Sequence, residues 1–384
     1  MHKRHRNYLI ITLAMAVILS SSSRPCLGEA ANAPQEFQDL YSELDEELNR
    51  VDSFLNLKDN SSNFPVLFGA QLLSADVRRS DKLLEPGEYE GMLMQLERLK
   101  GLGVQLVTIS IGFPGLYQPF YKRKKDYEAY LDFYKRLSSE IHSRGMKLII
   151  ETQPLAAKLG VGEDSPDTLK FLQGFKFKEY IKARSAALIK IAKELRPDYL
   201  SIINEPDTEA MLSAQPLDDL NNSSLLVKYV VADLRKSRIK GVKLGAGVGL
   251  WHPRYRAFVL SFARCRRLDF IDLHVYPINL GLLERIEESA DIAIKHHKRI
   301  GISEAWLYKC RTRELGKGNN SAELFSRDAF AFWEPLDEKF LKVITTLTRI
   351  NRFDFFSLFW PNARSVNLAN TYAQLIKEGQ QVNK

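Results

Sequence analysis

Eight short apolar runs, each followed by a longer helical pattern, constrain this 384-residue chain more tightly than any other feature. They occupy residues 66–71, 105–111, 147–151, 199–204, 242–246, 270–274, 299–304 and 353–359. Continuous apolar runs of this length suit strands covered on both faces, the habit of parallel sheets. Between them, segments such as 89–101, 127–144 and 177–195 repeat apolar residues at three and four, the period of an amphipathic helix. A helix–glycine–strand joint recurs at Gly103, Gly145, Gly241 and Gly301. Parallel neighbours need such a crossover, because a tight turn cannot return a chain to the same end of a sheet. Eight β-then-α units predict a single-domain α/β protein, a (β/α)8 TIM barrel, and the length falls within its usual range of about 200–400 residues. A doubly wound open sheet is the rival reading. It usually has fewer strands, and no glycine-rich phosphate loop follows the first run.

Residues 1–33 read as a secretory signal peptide, with a basic start (His2, Lys3, Arg4, His5, Arg6), an apolar stretch at 8–19 and a small, polar segment at 20–33. The apolar stretch is short of the about 20 residues that span a bilayer. Cleavage after Ala30 or Ala33 is expected; an uncleaved anchor is the alternative. No later segment is apolar enough to span a membrane, so a secreted or periplasmic protein is expected. Residues 34–63 read as a helix and a lead-in loop, the helix carried by Phe37, Leu40, Tyr41, Leu44, Leu48 and Val51, and 64–384 as the barrel. The formal charge of +8 shrinks once Lys3, Arg4, Arg6 and Arg24 leave against Glu29. What remains is spread along the chain rather than gathered in a basic stripe, which argues against a nucleic-acid partner. Cys265 and Cys310 fall at opposite ends of neighbouring parallel strands, beyond the roughly 7 Å Cα span of a disulfide, so no bridge is expected.

Barrels of this kind gather their chemistry at the C-terminal ends of the strands. The fourth run ends in Asn204, Glu205 and Pro206, and the sixth continues through His274 and Tyr276. The seventh ends in Ser303, Glu304 and Trp306, and the eighth in Phe359 and Trp360. Paired strand-end glutamates offer the acid and the nucleophile that cleavage of a glycosidic bond with retention requires. Taken singly, Glu205 also reads as a carboxylate at a helix N-terminus and Glu304 as an ordinary strand-end acid.

Together and in this order, these motifs resemble the clan A glycoside hydrolases, the cellulase-like retaining glycosidases, over about residues 64–370. The resemblance implies that Glu205 is the acid/base and Glu304 the nucleophile, acting through a glycosyl-enzyme intermediate on a β-linked polysaccharide or oligosaccharide. The acid then needs a raised pKa, from burial or from the neighbouring charge. Asn204 would donate to the sugar 2-hydroxyl, or else cap the following turn. Tyr276 would orient Glu304, His274 would line the site, and Trp360 would stack under the sugar. Trp251, Trp306 and Trp333 are further stacking candidates, or core residues. Many members carry an arginine after the second strand and a histidine after the third. Here those places hold Ser110 to Phe113 and Glu151 to Pro154, so Glu151 and Gln153 become candidate sugar-binding groups.

The remaining expectations are a carbohydrate partner, a monomer, no cofactor and no metal, since no His-x-x-x-His, paired-cysteine or EF-hand spacing appears. A carbohydrate-binding barrel without catalysis is the alternative. An aldolase or isomerase would need a strand-end lysine or a metal cluster, and Lys309 lies beyond the seventh run. Asp207 and Glu209 read as a solvated helix start. Residues 306–335 form a long connection expected to wall the site, and Asn60, Asn221, Asn222 and Asn319 begin glycosylation sequons.

Overall fold

The computed structural model describes residues 33–57, 64–154, 168–276, 281–314, 324, 326–359 and 366–381. Eight parallel strands close into a barrel in chain order. They are β1 Leu67–Gln71, β2 Leu106–Ser110, β3 Lys147–Glu151, β4 Tyr199–Ser201, β5 Lys243–Gly249, β6 Phe270–Val275, β7 Arg299–Ala305 and β8 Phe355–Leu358. Closure runs from Leu67 opposite Phe355 to Ala70 opposite Leu358, which excludes the open sheet. The signal segment, Asn60, Asn319 and Trp360 lie outside the described residues. Among the described residues no helix is long and apolar enough to cross a membrane.

β4, β5 and β8 depart most from their apolar runs. β4 stops at Ser201, although Ile202 and Ile203 stay buried and the chain still bonds to β5 through Ile202 N to Gly245 O at 2.9 Å. β5 runs on to Gly249. The interior is filled at the N-terminal end by Leu106, Ile149, Tyr199, Phe270 and Phe355. The Tyr199 and Phe355 rings lie 4.8 Å apart, and Phe270 sits 5.5 Å from the first and 5.6 Å from the second. Rings this large need small neighbours: a Cβ on Gly301 would lie 2.3 Å from the Phe355 ring. Gly301 is therefore a packing residue inside β7 and not a joint, and His297, at φ 54°, makes the turn before that strand. Gly103, Gly145 and Gly241 do form left-handed joints, at φ 89°, 75° and 84°.

The helix Gln35–Leu57 buries Leu40, Leu44, Leu48 and Val51 and packs on the helix Glu334–Ile350 of the outer layer. Tyr41 stacks on Trp333 at 5.7 Å and Lys339 pairs with Asp45 at 2.5 Å. Trp333, fully buried there, belongs to the core and presents no sugar platform. The connection after β7 is tied down where it is described. Lys309 is buried against Asp328 at 2.6 Å and against Asp337, and Arg327 grips Glu314 at 2.8 Å. Cys265 and Cys310 are both buried, and no bridge joins one to the other.

Candidate active site

Strand parity builds the site. Successive residues of a strand face opposite ways, so Asp272 and His274 share the inner face with Phe270 of the floor. Gln71 and Glu151 end β1 and β3, and Ser303 and Glu304 precede Ala305, the last residue of β7, where the register to β6 and β8 shifts. Glu205 lies just past β4, in extended backbone, as the cap residue of the helix Pro206–Ser213, with Pro206 in the first turn where no backbone donor is needed. Its side chain makes no capping bond to that helix. Instead Oε1 lies 2.7 Å from His274 Nδ1, although the residue itself stands at the helix N-terminus.

His274 is the hub. The same Nδ1 is 3.6 Å from Glu304 Oε2. Both carboxylates thus reach one nitrogen, and their nearest oxygens can be no farther apart than those two legs laid end to end. The other nitrogen, Nε2, is 3.1 Å from Ser303 Oγ and 3.4 Å from Glu151 Oε1. Tyr276 donates its hydroxyl to Glu304 Oε2, and Gln71 donates its amide to Glu304 Oε1. The same Gln71 nitrogen reaches Glu151 Oε2 at 3.3 Å. Below them Asp272 accepts from Ser201 at 2.7 Å, from Asn204 at 2.8 Å and from the Ser303 backbone at 3.1 Å.

The charges follow from these contacts. Burial opposes ionisation of Glu205, but the donors His274, Thr208 and Gln153 outweigh it and hold its carboxyl below the ordinary glutamate value. The sequence-based expectation of a raised value is not met. Burial also works against a charged His274, yet Glu304, Glu151 and Glu205 together raise it well above an ordinary histidine. Asp272 is pushed up to about 6 by burial, with the charge of Glu151 adding and that of His274 opposing.

Several expected residues take other places. The Asn204 amide group is spent on Asp272, Ser201 and Ser303 rather than on a sugar or the next turn, and only its Oδ1 is left without a partner. Gln153 supports Glu205. Trp251 is half-buried, donates to Asp207 at 3.1 Å and lies 5.4 Å from the Tyr276 ring, so it flanks the site. Trp306 is mostly covered and stacks on Phe359 at 5.6 Å. Glu209, read as solvated, is fully buried with Arg184 at 3.3 Å and Tyr180 at 2.7 Å, because the helix Phe177–Glu194 crosses over it. Asp207 is half-buried rather than solvated. Sequence reading missed Gln71, Asp272, Ser201 and Ser303; Asp272 alone carried a periodic signal, two residues before His274 on the same face of β6.

Among the described residues one trio of possible metal ligands comes together, Glu151, His274 and Glu304, with ligand atoms within 4.8 Å of one another. Both imidazole nitrogens already have hydrogen-bond partners there, so the trio is set out as a hydrogen-bond network.

No known family pattern matches the chain, and no curated protein matches it. Solved structures do. A GH5_18 protein from Bifidobacterium longum subsp. infantis superposes with a TM-score of 0.55 at 14% identity, over 82% of this chain and 79% of that one. An exo-beta-1,4-mannosidase from Opitutaceae bacterium strain TAV5 gives 0.54 at 12% identity, over 85% of this chain and 63% of that one. XacCel5A in complex with cellopentaose gives 0.51 at 13% identity, over 82% and 99%. At these identities the likeness is one of fold, and the chain shares its closed (β/α)8 barrel with glycoside hydrolases.

Proposed function

We propose that this chain is a retaining glycoside hydrolase that cleaves a β-linked polysaccharide or oligosaccharide by double displacement. One observation carries the reading: Glu205 and Glu304, from the ends of β4 and β7, converge on a single nitrogen of His274 at 2.7 and 3.6 Å. Glu304, held on both oxygens by Tyr276 and Gln71, attacks the anomeric carbon as the glycosidic bond breaks. The leaving oxygen takes a proton from Glu205. Water then attacks the glycosyl ester, giving its proton to Glu205 and freeing Glu304. The β-linked class is supported by the fold neighbours, one a beta-1,4-mannosidase and one solved with cellopentaose. We read the protein as an exported monomer from its first 33 residues and soluble composition; N-terminal sequencing and sizing of the exported protein test this.

A second reading, a carbohydrate-binding barrel without turnover, is favoured by the lowered pKa of Glu205. A bound sugar that drives out solvent and loosens the contact with His274 would restore the proton the acid role needs. Product anomers followed by NMR on soluble β-glucans, mannans and xylans separate the readings. Retention predicts the β-anomer first and a loss of about 10³-fold or more in Glu304→Ala with binding preserved. An α-anomer first product, or undiminished hydrolysis in that variant, overturns the assignment. Binding with no turnover in the natural chain selects the second reading.

A further inference from the structure

We propose that Glu151 is a positioning residue that keeps His274 protonated on both ring nitrogens, so that a fixed imidazolium stands between the Glu205 and Glu304 carboxylates in the substrate-free site. Its catalytic meaning rests on the hydrolase reading; the contact itself does not.

Nδ1 faces carboxylates, Glu205 at 2.7 Å and Glu304 at 3.6 Å, and so carries a proton. The state of Nε2 is less obvious. Its nearest partner is the Ser303 hydroxyl at 3.1 Å, which can either donate or accept. Glu151 decides between the two. Its Oε2 takes the Gln71 amide at 3.3 Å, whereas its Oε1 is buried, has no hydrogen-bond partner and lies 3.4 Å from Nε2. A buried carboxylate oxygen left unserved is costly, and the proton on Nε2 is the donor placed to serve it. The imidazole is therefore doubly protonated, and its charge offsets the surrounding acids.

The groups facing the ring come from every element around it: Glu151 from β3, Glu205 after β4, Glu304 from β7, Asp272 from its own strand and Tyr276 just past it. Burial resists the charge, and the carboxylates overcome it. Without Glu151, Ser303 is free to donate to Nε2 and a neutral ring becomes tenable. Gln71 extends the coupling, since one amide nitrogen reaches both Glu151 and Glu304.

Nitrogen-15 NMR of the whole protein without substrate tests this, with the His274 signal assigned by its loss in His274→Gln. The natural chain should show a doubly protonated His274 at pH 7. In Glu151→Gln the ring should titrate at a pH lower by about 1 or more, and Glu151→Asp should restore most of the difference. A neutral His274 at pH 7 in the natural chain overturns the proposal, as does a folded Glu151→Gln with an unmoved titration. The measurement on the natural chain stands even where a variant does not fold. Failure of the hydrolase reading appears separately, as absent turnover, and leaves the titration result intact.

Discussion

A carboxylate that accepts a hydrogen bond from an imidazolium gives up its proton early, and Glu205 accepts one at 2.7 Å from a ring that is charged. Its lowered pKa means that the proton-bearing form is present only on the acid side. We therefore expect kcat/KM to fall as pH rises through that lowered value, with activity concentrated in acid. In His274→Ala, Thr208 and Gln153 still donate to Glu205, but the largest lowering contact is gone and burial moves its pKa up, so the alkaline limb should shift to higher pH while kcat drops. An unmoved limb would show that this contact does not set the profile. In Glu205→Ala, hydrolysis of ordinary glycosides should fall by about 10²–10⁴-fold, with activated aryl glycosides largely spared. Both glutamates were legible as candidates because each follows an apolar run and the two fall on the fourth and seventh of eight. Gln71, Asp272 and Ser303 were not, because a polar residue within such a run looks like an interruption until closure of the barrel makes the inner face known.

Helix Phe177–Glu194 sends Arg184 beneath the tips of β3 and β4, where it bonds the Thr152 carbonyl and the Ile202 carbonyl at 2.5 Å. Thr152 directly follows Glu151, and Ile202 lies three residues before Glu205. Glu209 completes the arrangement at 3.3 Å from Arg184, with both side chains fully buried. Such a pair adds little net stability over an apolar replacement, but removing one partner strands a buried charge. Glu209→Ala should thus cost about 3–5 kcal/mol in urea unfolding and lower kcat as the two strand ends lose their tie. An unchanged midpoint would deny the pair that role. The sequence suggested a solvated Glu209 because acids in a first helical turn usually serve the helix dipole. Only the crossing of a second helix covers it, and no local pattern announces that crossing. The early end of β4 escaped for a similar reason: Ile202 and Ile203 remain as buried as strand residues after the strand has ended.

The N-terminal helix is part of the body of the molecule. Leu40, Leu44, Leu48 and Val51 are each fully covered, and burying a side chain of this kind stabilises by about 1.5–3 kcal/mol. Their sum is comparable to the whole net stability of about 5–15 kcal/mol typical of a folded protein. A chain begun at residue 58 should therefore melt far lower or aggregate, with Trp333 newly exposed and its fluorescence shifted to the red; an unchanged melting curve would contradict this. The amphipathic period made the helix visible in the sequence, but its docking site, the helix Glu334–Ile350, was not, because any apolar stripe can accept another. The barrel count itself was legible, since eight runs and their joints are local features that closure only assembles. The aromatic floor of Tyr199, Phe270 and Phe355 has a further consequence for traffic. No polymer can be threaded along the barrel axis. A long glycan must lie across the rim, and each fragment has to depart by the same opening through which its parent arrived.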